Sequence, residues 1–242
     1  MPLYTERTYR GSSNAGDLVS FHMKVKETDL WVSAEQNLEK ETRDLVLDCR
    51  QQLESHIRMH PGFATSLLPR ALDPLAPKFV NGMINATREL SVGPMASVAG
   101  AGAQYVGEGL LRFTDQVIVE NGGDIFLKTN RPATVSIFAG SSPLSEKLGL
   151  KIPVKQMPLG VCSSSAKVGH SLSMGITDVC CMLSSSAVFA DGAATALGNR
   201  VKSKEDLESV AEWAGQMAGI IGGVVIVDDR IAAWGEIELV DL

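Results

Sequence analysis

Asp191 and Thr195 stand four residues apart within Ser184 to Asn199, SSSAVFADGAATALGN. On a helix that spacing puts both on one face, where a carboxylate and a hydroxyl can share one ligand. Ala187, Val188, Phe189, Ala190, Ala193, Ala194, Ala196 and Leu197 surround the pair, a setting too apolar for a solvated face. A buried charge without a partner is costly. A hard cation meets that need, because Mg²⁺ takes few protein oxygens, keeps waters and bridges to phosphates. The alternative keeps the pair to itself: Thr195 bonds back to the Asp191 carbonyl, and Asp191 caps a helix that starts later.

Other polar groups could join such a site. Cys162 to Ser165, CSSS, offers hydroxyls and backbone N–H groups suited to phosphate oxygens, although serine-rich turns also satisfy their own backbones. His170, in the stretch Gly169 to Ser173, can serve as a general acid or base, since a histidine ordinarily titrates at about 6.5, or as a hydrogen-bonded structural residue. Cys162 has no basic neighbour before Lys167, so nothing indicates an activated thiolate. His22, His56 and His60 receive no function.

Taken in order, Ser91 to Gly109 (SVGPMASVAGAGAQYVGEG), Glu120 to Asp124 (ENGGD), CSSS, GHSLS and the Asp191 helix resemble the ApbE-like superfamily. Its best-known members are FAD:protein FMN transferases. The resemblance implies that Asp191 and Thr195, matching an A-D-x-x-x-T signature, hold Mg²⁺ at a flavin dinucleotide's pyrophosphate, with the main-chain carbonyl of Ala96 completing the site. It implies that Asn121, Gly122 and Gly123 form an N-x-G-G turn beside the flavin. Cys162, Ser163 and Ser164 resemble the family's T-S-G strand end, and His170 sits where the family has a histidine after that strand. The wording VGPMASVAGA, VENGGD, SSSAKVGHSLSMG and ADGAATA is closer still to a small group of short cytosolic ApbE-like proteins without an established activity. That likeness covers nearly the whole chain, including Thr5 to Arg10 and the Asp29 to Val32 strand.

The chain departs from the transferases at definite places. Gly93 stands where they have an acidic residue, and Ala99 and Gly100 where they have lysine and glycine. Their I-x-D-P-x-T-G segment after the histidine is missing, and no leader peptide like theirs is expected. The metal corner is thus kept better than the parts that position a substrate.

At 242 residues the chain can bury a sizeable core, and it is read as one ApbE-like domain over 1–242, with two small lobes as the variant. A net charge of -6 and a pI near 5.3 argue against nucleic acid as a partner. The polar start MPLYTERTYRGSS, and the lack of any apolar run of about 18 residues, point to the cytoplasm and to no membrane. None of the four cysteines, Cys49, Cys162, Cys180 and Cys181, has C-x-x-C spacing. Cys180 and Cys181 fall in an apolar strand whose neighbours face opposite ways, so plain burial is expected.

These residues need elements to position them. Val19, Phe21, Met23 and Val25 alternate with polar residues, the period of a half-buried strand, and Leu30 to Ala34 follows as a second. Leu38, Leu45, Val46, Cys49, Leu53 and Ile57 recur at helical spacing, predicting a helix from Asn37 to Met59 that His60-Pro61-Gly62 stops. After a proline-rich loop, a helix from Lys78 ends near Gly93-Pro94. Another begins around Met95, where small residues need close packing or a ligand to justify them. Val117 to Val119 and Ile125 to Leu127 flank a tight Asn121-Gly122-Gly123 hairpin, which puts Glu120 and Asp124 at its edges as ordinary solvated charges. Val135 to Phe138, Leu150 to Val154 and Thr177 to Met182 add strands. Ser203 with Asp206 opens a helix to about Met217, and Ile220 to Val227 pairs with Ile231 to Leu239.

The elements cluster without regular βαβ spacing, so the fold class is α+β, with antiparallel-rich sheets and packed helices. Gly100-Ala101-Gly102 lacks the third glycine of a dinucleotide fingerprint. The expected function is binding of a flavin (FAD or FMN) or related nucleotide with Mg²⁺, extending to FMN transfer or pyrophosphate cleavage. A non-catalytic binder or scaffold is the alternative. The small-residue faces suit a homodimer as well as a pocket.

Overall fold

The computed structural model describes residues 16–167 and 173–242. His170 and the Thr5 to Arg10 segment lie outside the described residues.

The hairpin of β1 (Val19–Val25) and β2 (Thr28–Ala34) leads into α1 (Glu39–Met59), whose first amide, that of Glu39, donates to Asn37 Oδ1 at 2.9 Å. Then come α2 (Lys78–Arg88), α3 (Val98–Leu110) and the hairpin of β3 (Val117–Asn121) and β4 (Asp124–Lys128). β5 (Ala133–Ser136), β6 (Leu148–Ile152), β7 (Leu159–Ser164) and β8 (Val179–Ser184) precede α4 (Ala187–Arg200) and the short α5 (Val210–Gly215). β9 (Ile220–Val227), β10 (Arg230–Gly235) and β11 (Glu238–Asp241) close the chain.

Among the described residues the strands form two sheets, β1-β2-β3-β4-β7-β8-β9-β10 and β11-β6-β5, with antiparallel neighbours throughout. The fold is α+β, as expected. One face of the large sheet carries Val119, Phe126, Cys162, Cys180 and Met182 against α3 and α4. The other carries Ile118, Leu127, Val161, Cys181 and Leu183 against Val135, Leu150 and Ile152 of the small sheet. Cys180 and Cys181 therefore do point to opposite, buried faces. Outside α3 and α4 lie α1 and α2, joined through Cys49, Phe79, Met83 and Ala101. Because its central strands are covered on both faces, the large sheet reads as apolar runs rather than alternation.

Three boundaries differ from expectation. The helix from Lys78 stops at Arg88, and Pro94–Ser97 forms a separate 3-10 turn before α3. Asp206 does accept the Lys202 and Ser203 amides, at 2.7 and 2.9 Å, but the turn it starts is 3-10, and helix begins only at Val210. The final strand breaks after Gly235, where the chain leaves β9 to pair with β6 of the small sheet.

Candidate functional site

α4 starts where β8 runs out, with Ser186 Oγ accepting the Phe189 amide at 3.3 Å as N-cap. That start puts Asp191 in the second turn, so it cannot cap its own helix. Instead its Oδ2 accepts the Gly100 amide of α3 at 2.8 Å, and the Ala99 amide adds a second contact. The first amides of a helix lack partners within it, and its positive end favours an anion. The exchange is mutual: Gln104 Oε1 of α3 accepts the Ser186 hydroxyl at 3.3 Å and the Val188 amide at 3.2 Å. The helices meet this closely because Gly100 has no side chain. A Cβ there would overlap the Ala187 carbonyl oxygen and stand 2.8 Å from Asp191 Cβ. Packing thus accounts for the small face of α3, whose Gly107 lies over the Phe126 ring.

The β3–β4 turn brings in the second group. Asn121 and Asp124 close a two-residue turn in which Gly122 and Gly123 have φ of +70° and +114°, a conformation suited to glycine. Asn121 Nδ2 donates to the Ala99 carbonyl at 3.0 Å, so the hairpin abuts the same turn of α3 that Asp191 holds. Glu120 and Asp124 are not solvated: their exposures are 8% and 5%. The hairpin lies under α3 and beside β7, not at a free edge. Asp124 Oδ1 accepts the Ser163 amide at 3.2 Å, and the Cys162 thiol lies between Asp124 and the Ala187 carbonyl, 3.3 Å away.

Electrostatics follow from this crowding. Burial pushes the Asp124 carboxyl up to about 7, with the nearby Glu120 charge adding and the Ser163 amide and Cys162 thiol opposing. Asp191, 7% exposed, is raised well above the usual carboxylate range, by burial first and then by the Asp124 charge, against the pull of the Gly100 and Ala99 amides. Burial and the two carboxylates also push the Cys162 thiol far up, so it stays protonated and is no nucleophile.

Two buried carboxyl groups that feel each other resist joint ionisation unless a cation joins them. The donors fit a hard cation. Gly100 occupies one oxygen of Asp191, leaving further lone pairs. The half-buried Thr195, one turn along α4, has no hydroxyl partner among the described residues, so it does not bond back to Asp191. Ala96 sits in the 3-10 turn that packs on α4, where a Cβ on Gly192 would stand 3.8 Å from Ser97 Cβ. Carboxylate, hydroxyl and carbonyl oxygens are the set that suits Mg²⁺ rather than a softer metal.

The structure thus gathers Asp191, Asn121 and Cys162 around Ala99 and Gly100, whereas the Ser163 side chain faces Cys181 on the other side of the sheet and only its amide reaches Asp124. Cys162 and Ser164 are buried in β7 and Ser163 is half-buried. Gly123 faces open space. The sequence reading missed Asp124; its signal was a second acid closing the N-G-G turn.

The fold is that of the ApbE flavin transferases. The apo Pseudomonas stutzeri flavinyl transferase ApbE aligns with TM-score 0.61 at 14% identity, covering 90% of this chain and 94% of that one. The ApbE protein of Thermotoga maritima aligns with TM-score 0.56 at 11% identity, covering 90% and 97%. A family model described as AbpE bacteria matches residues 10–219, and the chain belongs to that family. A UPF0280 protein of Methanocella arvoryzae is 37% identical over 215 residues, 88% of this chain and 87% of its own length. One from Methanothrix thermoacetophila is 39% identical over 198 residues, 81% and 82% of the two chains. Among the described residues no helix is long and apolar enough to cross a membrane.

Proposed function

We propose that the protein binds a flavin nucleotide, FAD or FMN, or a related nucleotide, together with Mg²⁺ at Asp191, Thr195 and the Ala96 carbonyl. The observation that carries this reading is the buried Asp191 carboxylate, bonded to the start of α3 and raised in pKa by burial and the nearby Asp124 charge. Likeness of fold to flavin transferases supports the flavin part. When bound, Mg²⁺ would neutralise pyrophosphate charge and act as a Lewis acid. The chain's own residues prepare the place: Asn121 is fixed by the Ala99 carbonyl, burial raises the Asp124 carboxyl to about 7, and both acids are buried. Gly122, Gly123, the Ser163 main chain and Ser164 would line the flavin side, and His170 would exchange protons if a reaction follows.

Thermal stability with FAD, FMN, ADP and ATP, each with and without Mg²⁺, tests the reading, because a ligand selective for the native state raises stability by mass action. A Mg²⁺-dependent rise with FAD is expected. No rise with any of the four overturns it. A non-catalytic binder is the second reading, favoured by Ala99 and Gly100 standing at the lysine-glycine position of the transferases. Chromatography of FAD incubated with protein and Mg²⁺ separates the two: released FMN or AMP marks an enzyme.

A further inference from the structure

Away from that site, at the C-terminal end of α1, two histidines and an aspartate converge. His56 lies in the last turn of α1 and is 3% exposed. Its ring stands edge-on to Phe63, at 4.8 Å and 82°, and 4.4 Å from the His60 ring. His60 follows the helix, held by its own amide donating to the His56 carbonyl at 2.8 Å. Asp73 arrives from the proline-rich loop, with Oδ2 3.8 Å from His60 Nε2. One ligand atom from each of His56, His60 and Asp73 falls within 4.8 Å of the others.

His56 Nδ1 is buried and has no hydrogen-bond partner. Buried polar groups are nearly always paired, and this one belongs to a cluster of three metal-ligating side chains. The His60–Asp73 separation is too long for a hydrogen bond. It is close to the roughly 3.3 Å between neighbouring ligands of a tetrahedral Zn²⁺ with bonds of about 2.0–2.1 Å. Asp73 is also braced as metal-binding carboxylates usually are. Its Oδ1 accepts the Leu75 amide at 2.9 Å, and Asn81 of α2 grips its main chain, donating to the Asp73 carbonyl at 2.7 Å and accepting the Asp73 amide at 3.3 Å.

We propose that His56, His60 and Asp73 form a binding site for a divalent transition metal, with Zn²⁺ the best match. Two imidazoles and one carboxylate select Zn²⁺ over Mg²⁺, and three protein ligands leave a fourth position to solvent. His60 and Asp73 side chains, 52% and 32% exposed, give the ion its way in. The metal would fasten the proline-rich loop to the end of α1.

The test uses the full chain without a histidine tag, stripped with EDTA and desalted. Zn²⁺ is titrated against a chromophoric chelator, and Co²⁺ is added separately for its visible spectrum. One tight Zn²⁺ per chain and tetrahedral Co²⁺ bands are expected. His60→Ala and Asp73→Asn, both at partly exposed positions, should each weaken Zn²⁺ binding at least ~10-fold. Asp191→Asn should leave it unchanged, which separates this site from the nucleotide site, and so should His22→Ala, at a histidine whose Nε2 lies 2.7 Å from Asp29 Oδ1. Absence of Zn²⁺ binding by the unaltered chain, or equal binding by His60→Ala and Asp73→Asn, overturns the proposal.

Discussion

The Asp191 carboxylate of α4 accepts the Gly100 amide of α3 at 2.8 Å, across 91 positions of sequence. One side chain therefore anchors a neighbouring helix and supplies the charge on which the proposed cation depends. Asp191→Ala should abolish Mg²⁺-dependent ligand binding and destabilise the fold by about 1–3 kcal/mol, the cost of leaving buried amides unpaired. Thr195→Val should weaken the Mg²⁺ dependence with little loss of stability. Urea denaturation and nucleotide titrations with and without Mg²⁺ read both effects. Unchanged affinity and unchanged Mg²⁺ dependence in Asp191→Ala would show that the metal lies elsewhere.

Stability should fall as pH rises in metal-free buffer. Burial raises the Asp124 pKa from its ordinary 3.8 to about 7, so the folded state holds a proton that the unfolded chain has lost. A raised folded pKa gives stability that is full below the unfolded value and is lost as pH climbs through the folded one. Asp191 shifts in the same direction. Melting temperature in EDTA should therefore drop between pH 5.5 and 8, with Asp124→Asn flattening the drop and Mg²⁺ reducing it. A flat profile for the unaltered chain would contradict the buried acid pair.

Gly100→Ala tests the helix contact alone. The added methyl would overlap the Ala187 carbonyl oxygen, a backbone atom that cannot swing aside. Overpacking of this kind costs about 1–3 kcal/mol, and it would push α3 from Asp191, so ligand binding should weaken with stability. Chemical denaturation beside a nucleotide titration measures the two losses together.

Thiol chemistry supplies another check. All four cysteines are buried and free, and burial raises Cys49 and Cys181 to about 11 and pushes Cys162 and Cys180 up as well. A thiol-specific chromogenic reagent should leave the native protein unlabelled and count four thiols in urea. Rapid native labelling of Cys162 would mean that the floor beneath α4 is open.

Local periodicity carried much of the fold into view. The alternation of Val19 to Val25, the helical spacing from Leu38 to Ile57 and the glycine pair of the hairpin each reflect forces acting within a few residues. Asp191 and Thr195 were visible for the same reason: one helical turn separates them. The acid at Asp124 was not, because a hairpin edge is ordinarily wet, and only the covering by α3 and the adjacency of β7 bury it. The bond from Asp191 to Gly100 joins distant segments, and no spacing announces it. His56 and His60 sat at a helix end that gave no sign of Asp73, which comes from a loop without a period.

Gln104 and Asp191 each hold the opening turn of the helix to which the other belongs. The two helices are buckled head to head, and neither can slide along its axis without undoing a bond at its own start or its neighbour's. A cation that draws on Asp191 must therefore tug on the beginning of α3, and the strain reaches α4 through Gln104. By thermodynamic reciprocity, whatever stiffens that buckle must tighten the cation, and a Gln104→Ala chain should bind Mg²⁺ less well without touching it.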